Sequence, residues 1–266
     1  MFNWINSKEF SFNSFLLMDR WLINQILSNH QDEFCTNMGI ALANNPSVAW
    51  YFINRCPECK EVVDKLIDKS PKELSHQEIR KAEEYVIDYA DWAIVYVYPE
   101  IMNKNCPYIK YWDSERLLSM TDFTDKIVLD VGSGTGRLAF TAATKAKMVY
   151  ASEPVDRMRE YMRDKIKNQN ISNIVVTDGF VENIPYPDNS FDIVMSGHVV
   201  GDNYSKELSE LERVTKPNGY IIDCMGEDDR KRTKPNEELL KAGFEYFYYA
   251  SKTGGDVYRY INKVLK

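Results

Sequence analysis

Three glycines at alternate positions, Gly132, Gly134 and Gly136, follow closely on an acid, Asp130, that ends the apolar run Ile127-Val-Leu129. A buried strand feeding a turn of this kind is suited to a nucleotide-like ligand. Glycine accepts a positive φ and lets the backbone approach the ligand with no Cβ in the way. Two more apolar runs also lead to acids: Met148-Val-Tyr-Ala151 to Glu153, and Ile174-Val-Val-Thr177 to Asp178. A carboxylate at a strand tip is placed to accept hydrogen bonds from both hydroxyls of a ribose. A fourth run, Phe191–Ser196, delivers Gly197-His198-Val-Val-Gly201-Asp202. A free imidazole has a pKa near neutrality and His198 directly follows the strand tip, which makes it the candidate general base.

The glycine spacing separates ligand classes. A dinucleotide loop reads G-x-G-x-x-G, whereas here the third glycine comes one residue early and Arg137 follows it. The lysine-serine/threonine pair of a triphosphate loop is missing. The stretch Asp130-Val-Gly-Ser-Gly-Thr-Gly136 instead resembles the first motif of class I methyltransferases that use S-adenosylmethionine. The resemblance continues through Asn183-Ile-Pro-Tyr-Pro-Asp-Asn-Ser-Phe-Asp-Ile-Val-Met195, which is similar to the P-x-x-D-x-S-F-D-x-V segment of the small-molecule branch, and through Glu212-Arg-Val-Thr-Lys-Pro-Asn-Gly219. It covers about half of the chain, from near Thr124 onward.

That resemblance implies S-adenosylmethionine as cofactor, S-adenosylhomocysteine as product, and a methyl acceptor that it does not name. It implies a loop under the methionine and ribose made of Asp130, Gly132, Ser133, Gly134 and Gly136. Glu153 with Pro154 would hold the ribose, Asp178, Gly179 and Phe180 the adenine, and Ser196 and His198 would face the methyl group. Arg137, just past the third glycine, is a candidate for the cofactor carboxylate and equally for an exposed first-turn residue. Two rivals stay open: a methyltransferase acting on RNA or protein, and a cofactor-binding regulatory module without catalysis.

The elements that must position these residues follow from pattern. The second half alternates short apolar runs with amphipathic segments, as strand-helix repeats around a parallel sheet do. The resemblance implies an α/β fold with seven mostly parallel strands, helices on both faces and an antiparallel strand inserted at the end. Phe244–Ala250 and Val257–Val264 flank Thr253-Gly-Gly-Asp256 and predict a hairpin. The first half reads as all helical. Ser75 and Glu78 form a capping box, and Ile79, Ala82, Val86, Tyr89, Ala93 and Val97 continue one apolar stripe until Pro99. Pro46, Pro57 and Pro71 fit first turns of helices. After a helix over Tyr108–Leu118 the boundary is expected near Met120–Asp125, giving a helical domain 1–120 and a cofactor domain 121–266.

The helical domain is expected to act as a lid and to supply substrate contacts, with Tyr108, Tyr111 and Trp112 as the candidates. Aromatic faces attract cations, and large rings also dominate helix packing. With 266 residues, 44% of them hydrophobic, the chain can bury a substantial core. A net charge of −7 disfavours a large nucleic-acid footprint, and small-molecule or protein substrates become the better expectation. The tract Glu227–Lys234 mixes signs and reads as a solvated loop. The early apolar stretch is interrupted by Asp19 and Arg20, so neither a leader nor a membrane span is expected, and the cytoplasm is the expected location. Five cysteines fit reduced thiols. Cys56-Pro-Glu-Cys59 reads as two thiols at a helix start, without a metal, because no second such pair supplies the remaining ligands.

Overall fold

A computed structural model describes residues 2–28, 31–227, 232–252 and 255–266. The chain divides into two compact units, Met1–Met102 and Asn103–Lys266.

In the second unit seven strands form one sheet: β1 (Ile127–Val131), β2 (Met148–Ser152), β3 (Ile174–Thr177), β4 (Phe191–Ser196), β5 (Thr215–Asp223), β6 (Glu245–Ala250) and β7 (Asp256–Lys263). Their order is β3-β2-β1-β4-β5-β7-β6. The first five are mutually parallel, and β7 runs antiparallel between β5 and β6. This is the α/β class and the inserted antiparallel strand expected from the sequence. Strand direction and pleat divide the apolar residues between two cores. Val128, Ile193, Met195 and Ile222 pack with Leu117, Phe123 and Leu138 on one face. Leu129, Val131, Val194 and Ile221 pack with Leu211, Tyr258 and Tyr260 on the other. Burial on both faces is why β1 and β4 read as continuous apolar runs.

The boundary between units falls at residue 102, not near 120. Residues 103–120 belong with the sheet because Leu117 and Met120 lie in the same buried cluster as Val128 and Leu138, and the Trp112 indole donates to Thr141 Oγ1 at 3.0 Å. The expected helix over Tyr108–Leu118 is two short ones, Pro107–Lys110 and Glu115–Leu118. Asp113 separates them: its carboxylate accepts the Glu115 N–H at 3.2 Å, a local bond that competes with helix continuation.

The first unit is helical, as expected. Ser75 and Glu78 form the capping box of the helix His76–Tyr89. The stripe is interrupted at Ala90 (φ −94°, ψ 24°), and a separate helix Asp91–Val97 follows. Asp91, at the start of that helix, is buried and accepts the N–H groups of Phe2 and Asn3 at 2.7 and 2.8 Å. Pro46 and Pro57 begin helical turns, but Pro71 lies between helices, outside any first turn. Cys56 occupies the N-cap position before the short turn Pro57–Cys59, and its Sγ lies 2.7 Å from that of Cys59. No group of three or more His, Cys, Asp or Glu gathers around a possible metal position among the described residues. Among them, too, no helix is long and apolar enough to cross a membrane. The predicted hairpin is present as β6 and β7, while its tip at 253–254, like residues 228–231 of the charged tract, lies outside the described residues.

Candidate active site

The carboxyl ends of β1, β2 and β3 bring the acids and glycines together. Gly132, Gly134 and Gly136 all take positive φ, +65°, +56° and +86°. A Cβ on Gly132 would collide with Val199 of the segment after β4, whereas a Cβ on Gly134 would meet nothing within 4 Å. Only glycine therefore lets β1 turn this tightly beneath β4, and the space above Gly134 is open. The turn is tied down by the Ser152 carbonyl, which accepts the Gly132 and Ser133 N–H groups at 2.8 and 3.1 Å. The Ser133 hydroxyl donates back to the Asp130 carbonyl at 2.9 Å.

Asp130 is fully buried. Its Oδ2 accepts the Ala139 N–H at 3.0 Å, inside the first turn of the helix Arg137–Ala142, where a carboxylate is favoured by the helix dipole. Oδ1 has no hydrogen-bond partner among the described residues. Glu153 is also buried, and it links the end of β2 to the glycine turn: Oε2 accepts the Gly134 N–H at 2.8 Å and Oε1 the Val155 N–H at 2.9 Å. Pro154, between them, carries the chain out of β2 into the helix Asp156–Asn168.

At the tip of β3, Asp178 and Phe180 are exposed. Arg159 joins this tip to β2, donating to the Glu153 carbonyl at 2.7 Å and to Asp178 Oδ1 at 3.2 Å. Gly179 packs so closely on Ser152 Oγ and Pro185 that a Cβ there would clash. Asp130, the glycines, Glu153, Asp178, Gly179 and Phe180 thus line adjacent strand ends.

Ser196 is placed otherwise than expected. It is fully buried, and its hydroxyl donates to Asp223 Oδ1 at 3.2 Å, which commits it to the next strand instead of the crevice. His198 has a left-handed backbone, φ +66°, unusual for a residue with a side chain. The Gly226 N–H donates to its Nε2 at 3.1 Å, and its ring lies 4.9 Å from that of Tyr108. The Nε2 lone pair is occupied, which puts the proton of the neutral imidazole on Nδ1.

Of the three aromatic candidates, the structure brings two to this rim. Tyr108 meets His198, and two guanidinium groups lie over the Trp112 ring, Arg137 at 4.9 Å and Arg259 at 4.8 Å from its centroid. Arg137 donates to the carbonyls of Tyr108 and Cys224, both at 3.3 Å, so it braces β5 against the segment 107–112. Tyr111 is on the outer side, with the Lys110 ammonium 5.4 Å from its ring.

Sequence reasoning missed Arg259, Asp223 and Glu207. Glu207 is buried, and its carboxylate accepts the N–H groups of Gly201, Asp202 and Asn203 at 2.8, 3.2 and 2.9 Å, pinning the segment that leaves β4. The only signal for it was an acid in the first turn of the helix Tyr204–Val214. Arg259 sits in β7 within the run Val257–Tyr260 that is buried on both faces, and a charge there carries no local signature.

Burial dominates the electrostatics. It pushes the Asp130 carboxyl up to about 7 and that of Asp223 up to about 6, from an ordinary value of 3.8. Both folded values lie above the unfolded one. The stability tied to these acids is therefore present in full below the unfolded value and is lost as pH rises through 6 and 7. The thermal midpoint of the ligand-free chain is expected to fall between about pH 5 and pH 8, and Asp130→Asn to flatten that fall. A midpoint that climbs across the same interval, measured by scanning calorimetry, would contradict this assignment.

Comparison with known proteins bears on this geometry. A family described as "Methyltransferase domain" matches residues 129–223. An uncharacterized methyltransferase of Schizosaccharomyces pombe is 35% identical over 126 residues, covering 44% of this chain and 44% of that protein. A demethylmenaquinone methyltransferase of a Geobacillus species is 27% identical over 143 residues, covering 52% of this chain and 57% of its own. The chain thus spans about half the length of the curated relatives it matches. A solved structure from Methanococcus maripaludis, described as a putative S-adenosyl-L-methionine-dependent methyltransferase, aligns with a TM-score of 0.50 at 18% identity, covering 64% of this chain and 92% of that one, a likeness of fold.

Proposed function

The chain carries a class I S-adenosylmethionine-dependent methyltransferase domain, and from that premise we propose that it transfers the methyl group of S-adenosylmethionine to a small-molecule acceptor held at the carboxyl ends of β4 and β5 beside the start of β7. The observation that carries the reading is the junction of Gly134, Glu153 and Asp130: an open left-handed glycine, a buried carboxylate at the tip of β2, and a buried carboxylate oxygen with no partner among the described residues.

The residues fit the cofactor. A carboxylate accepts about four hydrogen bonds, so Glu153 has capacity for ribose hydroxyls beyond the two N–H groups it already accepts. Asp130 Oδ1 suits an ammonium, whose charge would offset the cost of ionising this buried acid. Asp178, Gly179 and Phe180 would flank the base. S-adenosylmethionine, when bound, supplies a methyl group already activated on a sulfonium. The chain's task is then chiefly to hold an attacking atom in line with it and to exclude water.

Tyr108, His198 and Trp112 form an aromatic rim suited to a flat or apolar acceptor. The relatives named as demethylmenaquinone methyltransferases carry a small molecule in their names, which agrees with this class. His198 acts here as a positioning residue, because Gly226 occupies Nε2. His198→Gln is expected to lower kcat/KM by less than ~10-fold with the pH profile unchanged, whereas loss of a general base costs ~100-fold or more. A loss of that larger size with a shifted profile would restore the catalytic role. The function itself is tested by incubating the full chain with methyl-labelled S-adenosylmethionine and a panel of aromatic and apolar small molecules. Label transfer to at least one supports the reading, and label transferred only to RNA or protein overturns the small-molecule assignment.

A further inference from the structure

The edge strand of the sheet carries an unusual surface. β6, Glu245-Tyr-Phe-Tyr-Tyr-Ala250, is the last strand in the order and pairs only with β7. Among the described residues no other backbone hydrogen bond reaches it. Every second N–H and C=O along it therefore faces outward. Tyr246 and Tyr248 are 47% and 56% exposed, and Phe247 between them is 37% exposed, so aromatic surface shows on both faces of one edge. Natural edge strands are normally blunted by lysine, proline, bulges or brevity. This one has neither lysine nor proline, and it pairs with β7 in unbroken register over six residues. The rings are also held in place. Tyr246 and Tyr248 pack on Tyr258 at 5.6 and 5.7 Å, and the Tyr248 hydroxyl donates to Asp256 at 3.0 Å.

We propose that β6 is an interface between two copies of this chain, which pair antiparallel along this edge and extend the sheet across a two-fold axis. The sequence of the strand is what selects a second copy. Residues directly opposite in an antiparallel pair have the same orientation, both outward or both inward. The two-fold axis must then pass through a residue and its mate, Phe247 or Tyr248 at the centre of the strand. With Phe247 on the axis, Tyr246 faces Tyr248 of the other copy and Glu245 faces Tyr249. With Tyr248 on the axis, Phe247 faces Tyr249 and Tyr246 faces Ala250. In both registers ring meets ring and the one charged residue never opposes its own mate, so the pairing sets aromatic against aromatic with no like-charge clash.

The test is sedimentation velocity of the full chain over a wide concentration range, beside Phe247→Lys/Tyr248→Lys, with far-UV circular dichroism of both. The wild-type chain is expected to reach a saturating mass of twice the monomer. The lysine variant should remain monomeric at concentrations at least tenfold higher. A wild-type chain that stays monomeric throughout overturns the proposal, as does association that the lysines leave unchanged or that grows without limit. Should the variant fail to fold, hydrogen exchange of the wild-type chain decides. Amides of residues 245–250 must gain protection as concentration rises, and unchanged protection refutes the interface.

Discussion

Replacing Glu153 with alanine is expected to weaken binding of S-adenosylmethionine by about 100-fold. Two ribose hydroxyls donating to a carboxylate are worth ~1.5 kcal/mol each at the low end for charged partners, and their sum of ~3 kcal/mol corresponds to two decades in affinity. The substitution has a second cost. Glu153 accepts the Gly134 and Val155 N–H groups from a buried position, and both donors lose their partner. The glycine turn then loses its link to β2, so the unligated loop is loosened as well. Glu153→Gln separates the two effects, because its carbonyl oxygen can still accept one of these donors while its amide cannot accept the other. Isothermal titration of the three proteins checks the expectation. Alanine and glutamine variants that bind like wild type would remove Glu153 from the cofactor site.

The largest effect on stability is expected at Trp112. The Arg137 and Arg259 guanidinium groups both lie over its ring, at 4.9 and 4.8 Å, and its indole N–H donates to Thr141 at 3.0 Å. Arg259 is almost wholly buried, and its Nη1 has no hydrogen-bond partner among the described residues. Trp112→Ala opens a void, removes a hydrogen bond and takes away the ring that attracts both cations. Truncation of a packed tryptophan costs ~3–5 kcal/mol. The urea midpoint should fall accordingly, and methyl transfer should fall with it because Arg137 also braces Tyr108 and Cys224. Trp112→Phe, which keeps an aromatic ring beneath the guanidinium groups, should recover most of the stability. A loss below ~1 kcal/mol for the alanine variant would show that the stack is incidental.

The residues that were legible in the sequence are those whose constraint is local. Gly132, Gly134 and Gly136 announce a positive φ by their type, Asp130 and Glu153 end apolar runs, and Ser75 with Glu78 spells out a capping box. The seven-stranded, mostly parallel sheet with its inserted antiparallel strand followed once those runs matched a known motif set. What stayed hidden depends on contacts between residues distant in the chain. Ser196 read as a crevice residue because its strand-tip position was visible, while its hydrogen bond to Asp223 on β5 was not. His198 read as a base because its type was visible, but the Gly226 N–H that occupies Nε2 lies 28 residues further on. The boundary was misplaced for a similar reason. Leu117 and Met120 carry a helical pattern that says nothing of which core they enter. Tyr111 and Trp112 are neighbours in sequence, yet only the packing of Trp112 beside Thr141 shows which of them turns inward.

Calorimetric titration of the full chain with S-adenosylmethionine, S-adenosylhomocysteine and NADH tests the account most directly. One site per chain is expected for both sulfur ligands, with dissociation constants on the order of micromolar, loss of both in an Asp130→Ala/Glu153→Ala variant, and no heat of binding from NADH. A well-folded wild-type chain that binds neither sulfur ligand, or that binds NADH at the same site, would contradict it.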